Sequence, residues 1–89
     1  MDLGLTGKKA LITGATKGLG RAIAETLLAE GCSVAICARD ADGVESAVAE
    51  LNELGQACGS AVDAGDIDSL TGWISSSSEE LGGIDIYVH

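Results

Sequence analysis

Apolar and polar positions follow two rhythms along this chain. Four short, nearly unbroken apolar runs alternate with three longer stretches whose apolar residues recur every three or four positions. The first rhythm predicts buried strands and the second predicts helices with one buried stripe. The strands fall at Lys9 to Thr13, at Ser33-Val34-Ala35-Ile36-Cys37-Ala38, at Ala57 to Val62, and at Ile84-Asp85-Ile86-Tyr87-Val88 after the Gly82-Gly83 turn. The first helix is expected from Gly18 to Glu30, with Leu19, Ile23 and Leu27 on its buried stripe and Gly31 as its stop. Asp40 reads as the N-cap of a second helix that carries Val44, Ala47, Val48, Leu51 and Leu54 and ends at Gly55. Asp66 reads as the N-cap of a third, with Ile67, Leu70, Ile74 and Leu81 buried. Gly72 and the Ser75 to Ser78 run make that helix the weakest by propensity.

Strand and helix alternating through short links imply parallel strands joined by right-handed crossovers, an α/β architecture. The second run is almost wholly apolar, as a strand covered on both faces requires. The 89 residues make one small domain with no internal repeat or linker, expected over residues 1–89.

Composition narrows the partners. Apolar residues make up 46% of the chain, with no proline and no phenylalanine, so small aliphatic side chains must do the packing. The net charge is −9, which repels nucleic-acid phosphates and excludes nucleic acid as a partner. An anionic ligand must then be met by a few placed cations, drawn from Lys8, Lys9, Lys17, Arg21 and Arg39. Cys32, Cys37 and Cys58 lack C-x-x-C spacing and read as small buried thiols, with no metal site. The first nine residues lack a signal-peptide pattern and no apolar run reaches membrane-span length. A cytoplasmic chain with no membrane partner is expected.

The candidate chemistry lies in Thr13-Gly14-Ala15-Thr16-Lys17-Gly18-Leu19-Gly20, between the first strand and the first helix. Helix-start amides lack intrahelical partners, and with the helix dipole they favour an anion. Gly14 can turn the chain out of the strand, while Gly18 and Gly20 can admit a pyrophosphate and a neighbouring strand. A tight strand-to-helix turn alone needs fewer glycines. The end of the second strand holds neutral Ala38 followed by Arg39, where an acid would favour the ribose 2′-hydroxyl of NAD. Lys17 projects from the glycine loop toward the same corner. Two cations there suit a 2′-phosphate, so NADP(H) is expected over NAD(H). Asp40, one residue on, is read as a helix cap and not as the ribose acid.

The run T-G-A-T-K-G-L-G, with K-A-L-I-T-G before it, C-A-R-D after the second strand, Val62-Asp63 and the closing G-G-I-D-I-Y-V-H, resembles the short-chain dehydrogenase/reductase family from about Leu5 to His89. The resemblance implies a Rossmann-type doubly wound sheet, here in strand order 3-2-1-4, and an NAD(P)-dependent oxidoreductase. Thr13, Gly14, Thr16, Lys17, Gly18, Leu19 and Gly20 would line the phosphates and ribose of the cofactor. Arg39 would meet the 2′-phosphate. Asp63 would accept from the adenine amino group, with the backbone of Val62 or Ala64 beside it. Hydride would pass between NADP(H) and a carbonyl or alcohol, with 3-oxoacyl-thioesters or ketones as candidate substrates. The resemblance also implies a homo-oligomeric parent.

The family's catalytic Ser, Asn and Y-x-x-x-K are not found here. The one tyrosine, Tyr87, has no lysine four residues on, and the chain's lysines all lie upstream. No residue is assigned a catalytic role. His89 stands where members commonly carry asparagine and is expected near the nicotinamide side of the cleft. An open apolar fourth strand suggests the amino-terminal part of a longer reductase, catalytically inactive by itself. The alternative is a free-standing nucleotide-binding or interaction module that recruits a partner strand to that edge.

Overall fold

The four apolar runs form strands β1 (Lys9–Thr13), β2 (Ser33–Ala38), β3 (Ala57–Ala61) and β4 (Ile86–Val88) in a computed structural model that describes residues 4–89. Between them lie α1 (Gly18–Ala29), α2 (Ala41–Leu51) and α3 (Ile67–Leu81). All strand pairs are parallel and the order is β3-β2-β1-β4. This is the doubly wound α/β arrangement, and the strand order reverses between β1 and β4. The register pairs Thr13 with Cys37, Ala38 with Ala61 and Ile12 with Val88, so the carboxyl ends of all four strands emerge along one rim.

Alternation along the strands sorts the core into two layers. Ala10, Ile12, Val34 and Ile36 face α1 and α2, where Ala24, Leu28, Ala47 and Leu51 cover them. Leu11, Ala35 and Cys37 face α3, where Trp73 and Leu81 cover them. Each large aliphatic side chain so buried contributes roughly 1.5–3 kcal/mol.

Helix α2 buries Val44, Ala47 and Leu51 as its pattern predicts, whereas α1 and α3 sit in a different phase from the one their large apolar residues suggest. Leu19 is 77% exposed and Ile67 75% exposed, so neither belongs to a buried stripe. In α1 the buried residues are Ala24 and Leu28, one and two turns after Gly20, while Ile23 and Leu27 pack at the flank. In α3 they are Trp73, Ser77 and Leu81, with Leu70 and Ile74 at the flank. In α1, Gly20 and Ala24 are small enough to let the helix start lie close against its own loop and the sheet. Leu54 is also exposed, because α2 stops at Leu51 with Asn52 as its C-cap, before Gly55. Strand β3 ends at Ala61 and β4 begins at Ile86, each shorter than expected.

The two acidic caps are where the sequence puts them. Asp40 accepts from the Asp42 amide. Asp66 accepts from the amides of Asp68 and Ser69 and from the Ser69 hydroxyl. The Ser69 side chain foremost, then the backbone amides, hold the Asp66 carboxyl below its ordinary 3.8. A carboxylate with a depressed folded value stabilises the fold above its unfolded value, and that contribution is lost as pH falls through the folded value. The weak helix α3 is therefore expected to lose stability below about pH 4. The gap in urea midpoint between the parent chain and Asp66→Ala should be widest at pH 6 and should close progressively as the pH is taken down below about 4. At pH 6 the variant should be the less stable of the two.

Candidate cofactor cleft

At the rim formed by the strand ends lies a cleft of about 730 Å³. Its wall begins with β1 and the loop into α1. Gly14 leaves the strand with φ +67°, and its amide donates to the Cys37 carbonyl at 2.7 Å, tying the loop to β2. The chain then runs through Ala15 and Thr16 to Lys17, whose extended backbone (φ −156°, ψ 171°) caps α1 with no side-chain hydrogen bond. Gly20 serves close packing. A Cβ there would stand 2.7 Å from the Gly14 carbonyl oxygen, so only glycine lets α1 fold back this tightly onto its own loop.

The start of α1 differs from those of the other two helices. Both α2 and α3 have an aspartate cap and a further aspartate in the first turn. Helix α1 has neither. Its first amides and its positive dipole end therefore carry no anionic partner from the described residues, and they lie beside the cleft that Thr16, Lys17 and Arg21 line. The opposite wall is the end of β2 and the start of α2: Ala38, Arg39, Asp40, Gly43, Ser46, Ala47 and Glu50. The far side is Val62, Asp63, Ala64 and Gly65 after β3, with His89 after β4.

Of the residues singled out from sequence, Thr13, Gly14, Thr16, Lys17, Arg39, Val62 and Asp63 line this cleft. Gly18, Leu19 and Gly20 lie beside it as the first turn of α1. Leu19 turns away into a shallow apolar groove with Ile23 and Leu27. Among the described residues neither Lys17 nor Arg39 makes an ion pair. Asp40 is occupied by its cap, and Asp63 accepts from the Gly65 amide at 2.9 Å. The Val62 amide donates to the Ala38 carbonyl at 2.8 Å, holding that segment beside β2.

Sequence reasoning did not single out Arg21, Ser46 and Glu50 as cleft residues. Arg21 Nη1 lies 3.3 Å from Glu50 Oε1, bridging α1 to α2 across the cleft floor. A cue for Arg21 was present, since it follows Lys17 by four residues, one helical turn. Nothing local marks Glu50, which reaches the cleft only through the packing of α2 on α1.

His89 Nδ1 lies 3.4 Å from the Thr13 hydroxyl and 3.3 Å from the Tyr87 hydroxyl, which places it beside the β1 end of the cleft. The thiols are chemically quiet. Burial pushes Cys37 up against an opposing hydrogen bond from the Gly14 backbone. Burial, aided by Glu80, pushes Cys58 up to about 11, and burial raises Cys32 as well. All three are held as thiols at neutral pH.

The family model for short chain dehydrogenases matches residues 8–89. Isoepoxydon dehydrogenase patN of Penicillium expansum is 41% identical over 99% of this chain and 36% of its own length. Among solved structures, L-sorbose reductase from Gluconobacter frateurii, complexed with NADPH and L-sorbose, is 35% identical with a TM-score of 0.91, over 98% of this chain and 34% of its own. An NAD+-bound xylitol dehydrogenase is 30% identical with a TM-score of 0.89, over 93% of this chain and 32% of its own. The chain thus spans about a third of the length of the relatives it matches. No described helix is long and apolar enough to cross a membrane. By sequence and fold the chain belongs to the short-chain dehydrogenase family of oxidoreductases.

Proposed function

We propose that these residues form the NADP(H)-binding portion of a cytoplasmic short-chain reductase acting on a carbonyl or alcohol. The observation that carries this reading is the pairing of an uncapped α1 start with two unpaired cations, Lys17 and Arg39, in one cleft. The α1 amides, opened by Gly14 and Gly18, would accept the pyrophosphate. Arg39 would bind the 2′-phosphate through its planar fork, with Lys17 as a point charge beside it. Asp40 would not compete for that position, because its carboxylate is held on the Asp42 amide of α2. Asp63, fixed by the Gly65 amide, would accept from the adenine amino group while Val62 packs beside it. The Thr13 hydroxyl, 3.4 Å from His89 Nδ1, would lie toward the nicotinamide side.

When bound, the dinucleotide supplies or accepts hydride at the substrate carbon. The residues here bind and orient it. They contain no Y-x-x-x-K, and none of them is assigned the proton transfer that accompanies hydride. The test is calorimetric titration with NADPH and NADH. The parent chain should prefer NADPH, and Arg39→Ala should lower the NADPH-to-NADH affinity ratio about tenfold, the loss of one charge-assisted contact. An unchanged ratio rejects the 2′-phosphate assignment.

A further inference from the structure

Three cations and three carboxylates line the cleft, and they are not equally engaged. Asp40 and Asp63 each accept from a backbone amide. Glu50 alone among the three is paired with a cation, Arg21. Lys17 and Arg39 are unpaired, whereas Arg21 is shared between Glu25 on its own helix and Glu50 on α2. Arg21 is also imperfectly satisfied. Its Nε is sealed from solvent and lies 3.4 Å from Glu25 Oε1, but it is not aligned to donate. The Arg21 side chain is 20% exposed and that of Glu50 is 65% exposed, so the carboxylate is the mobile, solvated member of the pair.

We propose that Arg21 is a third cation of the 2′-phosphate site, and that Glu50 sets how much of its charge a bound cofactor experiences. This rests on the dinucleotide reading of the cleft. Arg21 lies one helical turn into α1 and contacts α2, so it sits at the junction of two helices that wall the cleft lined by Lys17 and Arg39. An incoming phosphate carrying about −1.5 to −2 charges competes with Glu50 for the guanidinium. It offers more acceptor oxygens than one solvated carboxylate. Glu50 also faces that phosphate as a like charge within the same cleft. NADH lacks the 2′-phosphate and brings no such competitor to this corner, so the Arg21–Glu50 bridge stays closed beneath it. Glu50 thereby restrains the preference for NADP(H) that the three cations would otherwise impose.

The test compares NADPH, NADH and 2′,5′-ADP binding to the chain and its variants, with urea midpoints to confirm folding. Glu50→Gln should raise NADPH and 2′,5′-ADP affinity about 3- to 10-fold and change NADH less than about 2-fold. Glu53→Gln removes the same charge from outside the cleft and should leave the ratio unchanged. Arg21→Gln should lower NADPH affinity about 5- to 20-fold with little effect on NADH. If Arg21→Gln fails to fold, the comparison of Glu50→Gln with Glu53→Gln decides alone. Equal effects of those two substitutions, or a Glu50→Gln ratio like the parent's, overturn the proposal. If Arg39→Ala also leaves the ratio untouched, the NADP(H) reading itself has failed. If only the Arg39 variant responds, that reading stands and the role of Arg21 and Glu50 is rejected.

Discussion

Replacing Trp73 by alanine is expected to cost about 3–5 kcal/mol, the usual range for truncating a buried large aromatic. That is a large part of the roughly 5–15 kcal/mol by which an ordinary domain is stable. Trp73 is 4% exposed and packs with Leu11, Ala35, Cys37 and Leu81. Its layer has little in reserve. Two helices cover the opposite face, but among the described residues α3 alone covers this one, and its third buried position is Ser77. The helix also has weak intrinsic propensity, with Gly72 and four consecutive serines. It is held mainly by what Trp73 and Leu81 bury. Far-UV circular dichroism through a urea titration should show a lower midpoint and an early loss of helical signal. Ile67→Ala is the control, because Ile67 is 75% exposed and should cost less than about 0.5 kcal/mol. Similar losses from both would contradict the packing.

The Trp73 and Ile67 pair shows which part of the fold can be read without coordinates. The positions of β1 and β2 could be read because both are buried along most of their length, which leaves apolar runs. The Asp40 and Asp66 caps could be read because capping is local chemistry, settled within three residues. The phase of α1 and α3 was not legible from large apolar residues. Leu19 begins the most obvious stripe of α1, yet the helix meets the sheet through Ala24 and Leu28, with Gly20 one turn earlier against the Gly14 carbonyl. Close approach selects small side chains, and a hydrophobicity count passes over them. The site divides in the same way. The glycine loop and Arg39 lie next to strand ends and announce themselves. Glu50 is 29 residues from Arg21, and only the packing of α1 against α2 brings the two together.

Removing both unpaired cations gives the largest expected change in binding. For Lys17→Ala/Arg39→Ala, NADPH affinity should fall about 30- to 100-fold, as two solvent-accessible charge-assisted contacts of about 1–1.5 kcal/mol each are lost. NADH affinity should fall less than about 3-fold, because in the proposed mode the pyrophosphate would be held by α1 amides that the substitutions leave in place. The two effects need not add, since both cations address one phosphate. Raising salt should narrow the difference between parent and variant, because Lys17 and Arg39 are exposed. The behaviour of Asp40 separates two accounts of the corner. If Asp40 were the acid that accepts from an NAD ribose, deleting its cationic neighbours would strengthen NADH binding. With its carboxylate committed to the Asp42 amide, 3.1 Å away, no such gain should appear. Calorimetry on the double variant reads both results at once: a collapse in NADPH affinity with no NADH gain supports the cationic corner, and a rise in NADH affinity assigns the corner to Asp40 instead.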